Sequence, residues 1–593
     1  MKINFCRTLV PYWLTAVLSV ALICQSAQAQ RPAAPRLLPK DTLLYLRIAD
    51  MPDLIERFQE TSAGRISQDE QVRPLLDHLW ESLVEATGQL EDLLGVPLQD
   101  LLSIPQGETC LALVAPETGF PAVVLLIDAG DQMPSVDKVL EQAEFGLFQQ
   151  GAVRTVQDLD GTEMVVNALP GGQRREMAYV QRDGTLVLGS NSQVIQSMVD
   201  AWDGRPTPRL SENTNFTAIM KRCAGDEDEP PQITFFVDPL ELTKRIARGS
   251  LAGQAVIALL PALGLDGVRG LGGSVALATE QYDNVTHVHL MLDSPRKGVV
   301  EILALRGGNL TPEPWVPADA VSYTSLNWDF ETSYNALRTL FDAIRGEGAL
   351  DREVDRRVSD PLGIPFEQDL LAALDGRVTI VSWMVRPARL NSRSNLLGLK
   401  LKDPKAFRQT LQKLIDQFPG QLERQALGGN EYWSIRVQRP TDDGPDRPLL
   451  REPDPAIAIL DDYLLMSDSS DLLKHAMVTR GRVSGSLANE LDYKLIASRI
   501  RRQAGGDTPG MLAFDRPEES LRLLYELATG DTTRQQLQSR ADNNPFFGAL
   551  DGALRENPLP PFAVIARYLA PGGSLITNDA TGFHYTSFTL RRQ

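Results

Sequence analysis

The chain has 593 residues, 59 of them basic and 77 acidic, for a formal net charge of −18 at neutral pH. Such a balance argues against sequence-independent nucleic-acid binding, which needs a basic footprint. Five histidines in the whole chain argue against a histidine-based metalloenzyme.

Residues 1–29 read as a secretory signal. Lys2 and Arg7 supply a positive start, Leu9 to Cys24 an apolar run, and Ala27-Gln28-Ala29 a small-x-small cleavage site. The alternative is an uncleaved anchor, but the run is short for a span of about 20 residues. Membrane contact is therefore expected only through this segment, if it is kept. Leu22 and Ile23 stand where a lipid-attachment cysteine at position 24 would need small residues. Without Lys2 and Arg7 the chain carries 57 basic and 77 acidic residues, a net charge of −20. That fits an exported protein kept apart by like charge.

After the signal, Thr42 to Ile48 predicts a strand and Pro52 to Gln59 a helix. Thr109 to Val114 and Ala122 to Ile127 are apolar runs too short for helices. Val136, Val139, Leu140, Ala143 and Leu147 repeat at helical spacing on one face. Asp160-Gly161 and Asp183-Gly184 are two-residue hairpin signals. Ser190-Asn191-Ser192 offers cap oxygens to a helix carrying Val194, Ile195 and Met198. Leu251 to Leu263, 13 residues interrupted by Pro261, predicts a buried helix rather than a span. Gly273 to Leu292 alternates as strand, with a turn expected at Asp283-Asn284.

The same series then recurs about 278 residues on. Leu38-Pro39-Lys40-Asp41-Thr42-Leu43-Leu44-Tyr45 returns as Val316-Pro317-Ala318-Asp319-Ala320-Val321-Ser322-Tyr323. Leu94-Gly95-Val96-Pro97-Leu98-Gln99-Asp100-Leu101-Leu102 returns as Leu362-Gly363-Ile364-Pro365-Phe366-Glu367-Gln368-Asp369-Leu370-Leu371. Asp183 to Ser192 matches Asp461 to Ser470, and Phe235 to Pro239 matches Ala513 to Pro517. Phe407, Leu411, Leu414, Ile415 and Phe418 form the second amphipathic helix, begun by Asp403-Pro404. Gly428-Gly429 supplies a hairpin turn. Ser467 to Asp471 precede a helix with Leu472, Leu473 and Ala476, and Gly573 to Leu590 closes with a turn near Asp579 to Gly582. Four blocks in one order imply two homologous domains, residues 30–300 and 308–593. Gly307, Gly308, Pro312 and Pro314 punctuate the join. The expected fold is α+β: two tandem domains, each a curved, mainly antiparallel sheet with helices packed on one face. Cys223 to Gln232, Pro387 to Asn395 and Arg439 to Pro455 read as exposed polar inserts.

The proline-aspartate openings, the Gly-x-Pro-x(2–3)-Asp-Leu-Leu block and the closing strand Thr581 to Phe588 resemble large exported bacterial proteins of unknown function with a duplicated α+β domain. The resemblance spans most of the chain after the signal and rests on structural motifs. It implies export and a doubled fold, and it brings no catalytic residues.

Chemistry-bearing motifs are scarce. The nucleophile elbow, H-E-x-x-H, the P-loop and C-x-x-C are all missing. Ser294-Pro295-Arg296-Lys297 has S-x-x-K spacing without companion motifs and without a helix start. Asp158 to Glu163 is part of a calcium loop at most, and a hairpin turn explains it better. His287 and His289, two apart on a predicted strand, face one side. They would need a third ligand, with Glu280 and Asp283 near in sequence and His584 alone in the matching strand. The plain reading is exposed strand histidines. Asp238 and Asp515 recur at a strand-to-helix junction, where capping is the simpler role. Cys110 and Cys223 could bond in an oxidising compartment, but the second copy lacks both.

No catalytic, cofactor-binding or metal-ligating residue is therefore assigned, and no cofactor is expected. The expectation is a non-enzymatic envelope or periplasmic protein with a binding or scaffolding role. Its partner would be an envelope protein, a lipid or a glycan, not a nucleic acid. The rivals are a hydrolase built from scattered carboxylates and a carrier of an apolar ligand.

Overall fold

The computed structural model describes residues 31–86, 97–116, 120–171, 175–225, 230–248, 250–437, 450–482, 485–530 and 552–592. The signal segment 1–29, Leu94-Gly95-Val96, residues 226–229 of the first insert and 439–449 of the third lie outside them.

Among the described residues, ten strands come from the first half of the chain. They are β1 (Thr42–Ile48), β2 (Thr109–Val114), β3 (Ala122–Asp128), β4 (Val153–Leu159), β5 (Thr162–Leu169), β6 (Arg175–Arg182), β7 (Thr185–Gly189), β8 (Ile233–Val237), β9 (Val268–Leu277) and β10 (Tyr282–Leu292). Ten more follow: β11 (Ser322–Asn327), β12 (Leu374–Met384), β13 (Arg393–Leu401), β14 (Leu422–Leu427), β15 (Asn430–Ile435), β16 (Ala456–Leu460), β17 (Tyr463–Ser467), β18 (Met511–Asp515), β19 (Gly572–Asp579) and β20 (Gly582–Leu590).

The hairpins close where turn chemistry requires it. Asp160 and Gly161, Asp183 and Gly184, and Gly428 and Gly429 all hold positive φ, the conformation of a two-residue hairpin turn that matches strand twist. The Asp158 carboxylate accepts from the Gly161 N–H at 2.7 Å, so the calcium-like fragment is turn structure. The final turn of the first half lies at Ala278–Gln281, not at Asp283-Asn284. Asp283 is drawn into β10, where its carboxylate accepts from the Ser62 backbone N–H (2.5 Å) and hydroxyl (2.9 Å).

The fold is α+β, and among the described residues every strand-to-strand ladder is antiparallel. In the first half the strands run β4-β5-β6-β7-β3-β2-β1-β8-β9-β10. In the second they run β14-β15-β16-β17-β13-β12-β11-β18-β19-β20, the same order ten numbers on. One expectation is corrected here. The halves do not carry separate sheets, because β10 pairs with β20 along nine registered positions and makes one open sheet. Left alone, each would be a long edge of unpaired backbone groups; pairing removes both edges.

The helices that matter are α1 (Met51–Glu60), α2 (Met133–Gln149), α3 (Ser192–Trp202), α4 (Thr214–Arg222), α5 (Leu251–Leu259), α6 (Pro404–Gln417), α7 (Ser470–Arg480) and α8 (Leu491–Gln503). Their starts follow the sequence. Asn191 caps the Val194 N–H, Asp238 the Glu241 N–H, and Asp403 the Lys405 and Ala406 N–H groups. Asp515 is no cap: the helix after β18 begins past Arg516 without a side-chain cap bond.

Helices cover both faces of the sheet, not one. Ile195 and Met198 of α3 and Ile219 of α4 pack with Cys110, Ala112, Val124 and Val187. Val136 and Leu140 of α2 pack with Val165, Tyr179 and Leu186 from the opposite face. The second half does likewise, with Leu472 and Leu473 of α7 on one side and Phe407 and Leu411 of α6 on the other. Strands such as β7 and β17 allow this because they are nearly continuous apolar runs, the mark of two-sided burial.

α5 corrects another expectation: it is largely exposed, with Leu251 86% accessible. Among the described residues no helix is long and apolar enough to cross a membrane.

Candidate functional site

Three of the five histidines meet at the seam. His287 and His289 lie on the same face of β10, and His584 of β20 is the registered partner of His289. They are 4%, 2% and 8% exposed, so they are buried, not surface residues. The reason lies across the seam, since β20 and the helices above it are distant in sequence. The His584 ring stacks on His287 with centroids 5.6 Å apart and tilts against His289 at 5.8 Å. Thr586 bonds the Nδ1 of His287 at 3.2 Å.

Above these strands sit α4 from the first half and the end of α8 from the second. They leave a cleft of about 520 Å³ between them. Its floor is His287, His289, His584, Met291, Leu575 and Thr577, and its walls include Ala218, Arg222, Gln503 and Asp507. Toward Val285 and Phe588 the same face is filled by apolar packing; at the histidines the packing stops and polar groups begin.

The electrostatics follow from burial. Desolvation beside His287, Arg222 and His289 holds the His584 imidazole down at about 3. Desolvation, aided by Arg222 and opposed by Asp579, also keeps His289 below its usual range. Both rings are therefore neutral at physiological pH. Arg222 bridges Asp507 (3.0 Å) and Asp579 (3.2 Å) at the rim.

Three buried polar atoms of residues lining this cleft have no hydrogen-bond partner among the described residues: His289 Nδ1, His584 Nδ1 and Thr577 Oγ1. Native proteins leave few such groups, because each costs about 1–3 kcal/mol unless something supplies the missing bond. Among the described residues no group of three or more His, Cys, Asp or Glu is arranged to hold a metal ion.

The other sequence candidates disperse. Glu280 is in the β9–β10 turn and Asp283 caps Ser62, so neither joins the histidines. Ser294 precedes a cis proline after β10, and Arg296 and Lys297 line a separate cleft of about 220 Å³. Cys110 and Cys223 are free, buried thiols in one core. Burial pushes both up, Cys223 to about 12, so neither is a thiolate nucleophile.

A second constellation was not visible in the sequence. His475 of α7 bonds Asp319 at 2.7 Å, and the Trp383 indole N–H donates to the same carboxylate at 3.0 Å. Burial favours the protonated Asp319, but its bonds to His475 and Trp383 outweigh that and hold it below the usual range. Asp319 and Trp383 line a cleft of about 550 Å³. Among the described residues no hydroxyl or thiol bonds to His475, so the pair lacks a nucleophile. A fourth cleft, about 450 Å³, gathers Asp329, Glu331, Glu367 and Asp375. Three of these four are spent on ion pairs, with Arg306, Arg338 and Lys400 respectively for Asp329, Glu367 and Asp375.

The alternation of β10 held a clue to the seam site. His287 and His289 share a face with Val285, a core position, and Thr577 is the registered partner of His584. Nothing local could have paired β10 with β20.

No protein-family model, no curated protein and no solved structure matches this chain.

Proposed function

We propose that this chain is an exported, non-enzymatic envelope protein that captures a ligand in the seam cleft. One observation carries this reading. Three buried polar atoms, unpartnered among the described residues, belong to residues lining a cleft to which both halves contribute, and interfaces between structural units are common ligand sites. The rival hydrolase is less well supported, since among the described residues the His475–Asp319 pair has no nucleophile and most carboxylates of the 450 Å³ cleft are neutralised. The four clefts described here are open and carry charged groups, which does not favour an apolar carrier.

The reading includes an ancestral duplication, with units at 30–300 and 308–593. The identical order of pairing in the two halves supports it. It also includes export through residues 1–29 and kinship with the exported bacterial proteins the motifs resemble.

The test uses Ala218, an exposed wall residue. Purified protein is melted with panels of sugars, amines and small carboxylates. The wild type should be stabilised by at least one class, and Ala218→Trp, which fills the cleft, should lose that shift. Equal stabilisation of both proteins, or of neither, overturns the reading. Amino-terminal sequencing of protein from the periplasm should begin at Gln30; an intact Met1 would overturn cleavage.

A further inference from the structure

We propose that the seam cleft binds an uncharged polyhydroxyl ligand, a mono- or disaccharide. This rests on the capture reading above and names the ligand class.

The argument begins with one proton. The Thr581 hydroxyl donates to Asp579 Oδ1 at 2.6 Å. Its hydrogen is thereby spent, so toward His289 Nε2, 3.4 Å away, its oxygen acts as acceptor. His289 therefore carries its proton on Nε2. Its Nδ1, buried and without a partner among the described residues, is left with a bare lone pair. A carboxylate or phosphate oxygen placed there would meet lone pair with lone pair. A ligand hydroxyl or N–H would donate to it.

Charge narrows the class further. Lys221 and Arg222 on α4 are balanced by Asp507 and Asp579, and Arg222 joins both carboxylates. Among the described residues these charges cancel, which leaves no surplus there to hold either an anion or an ammonium group. What the cleft offers is a polar floor, with His289 and His584 neutral, beside apolar surface. Thr577 is 3% exposed, and its Oγ1, unpartnered among the described residues, can both donate and accept. His584 Nδ1 adds another unmet site. Met291, Leu575 and Ala218 supply apolar contact. Hydroxyls in several directions around a ring with apolar C–H faces match this arrangement. The volume, about 520 Å³, falls in the roughly 300–1,000 Å³ range of small-molecule sites.

The experiment is calorimetric titration of the full chain at pH 7.5. The ligands are glucose, N-acetylglucosamine, maltose and cellobiose, with putrescine, citrate, glucose 6-phosphate and zinc chloride beside them. At least one neutral sugar should bind. Thr577→Val keeps the shape and removes the hydroxyl, and should weaken binding by about ten-fold or more, as expected where a site is built to bond a hydroxyl. Ala218→Trp should abolish it, and melting curves confirm that both variants fold. Preference for the amine, an anion or zinc overturns the polyhydroxyl assignment while the capture reading stands. Sugar binding unchanged in Thr577→Val also overturns it. No binding by any ligand removes both proposals.

Discussion

His289 and His584 face one another as registered partners across the β10–β20 ladder, their ring centroids 5.8 Å apart and their planes at 45°. They are 295 residues apart in the chain. Their meeting places two neutral imidazoles where the halves join, and this has consequences in acid.

Stability should fall as the pH drops below the ordinary imidazole range. Folded His584 takes a proton only near 3, whereas in the unfolded chain it does so near 6.5. Between those values the unfolded state binds more protons, so each pH unit removes up to about 1.4 kcal/mol. Urea midpoints at pH 7.5, 6 and 5 would measure the slope. His584→Gln should flatten it over pH 5–7; an unchanged slope would show that other groups dominate.

Gly582→Ala should open the seam. Gly582 begins β20 at φ +147, and an added Cβ would sit 1.9 Å from the Leu290 carbonyl oxygen. The backbone of β10 must shift, at a cost of about 1–3 kcal/mol by analogy with overpacked cores. Hydrogen exchange of β10 and β20 amides should accelerate while those of β3 and β13 hold.

Glu108→Ala should be among the most damaging single changes in the first half. Its carboxylate is buried against Arg31 (2.6 Å) and Arg47 and accepts from the Ala34 N–H at 3.0 Å. Removing one partner of a buried pair costs about 3–5 kcal/mol. The second half solves the same problem with reversed signs. Arg377, four residues before the partner of Tyr323 just as Glu108 is four before that of Tyr45, pairs with Glu313 at 2.9 Å. Arg377→Ala should therefore show a comparable loss in chemical denaturation.

Arg296→Ala should loosen the clasp between the end of the first half and the β19–β20 turn. The guanidinium donates to Asn578 Oδ1, to the Asp579 carbonyl at 2.6 Å and to the Gly582 carbonyl at 3.2 Å, and lies over the Phe583 ring. Charge-assisted bonds of this kind contribute about 1.5–3 kcal/mol each. Limited proteolysis should cut faster near residues 579–582 in the variant.

The elements set by local dihedral preference were legible from residues alone. Asp160-Gly161, Asp183-Gly184 and Gly428-Gly429 spell turns because few other pairs hold two positive φ values in succession. Asn191, Asp238 and Asp403 spell helix starts because a short side-chain oxygen satisfies exposed N–H groups. The amphipathic periods of α2 and α6 and the α+β class came the same way. What only the tertiary structure decided was non-local. β10 joined β20, α2 and α6 took the face opposite α3 and α7, α5 stayed exposed, and His287, His289, Thr577 and His584 came together. Periodicity tells a strand which side chains share a face. It carries no information about which distant strand lies alongside, because that depends on edges left over after every local choice is made.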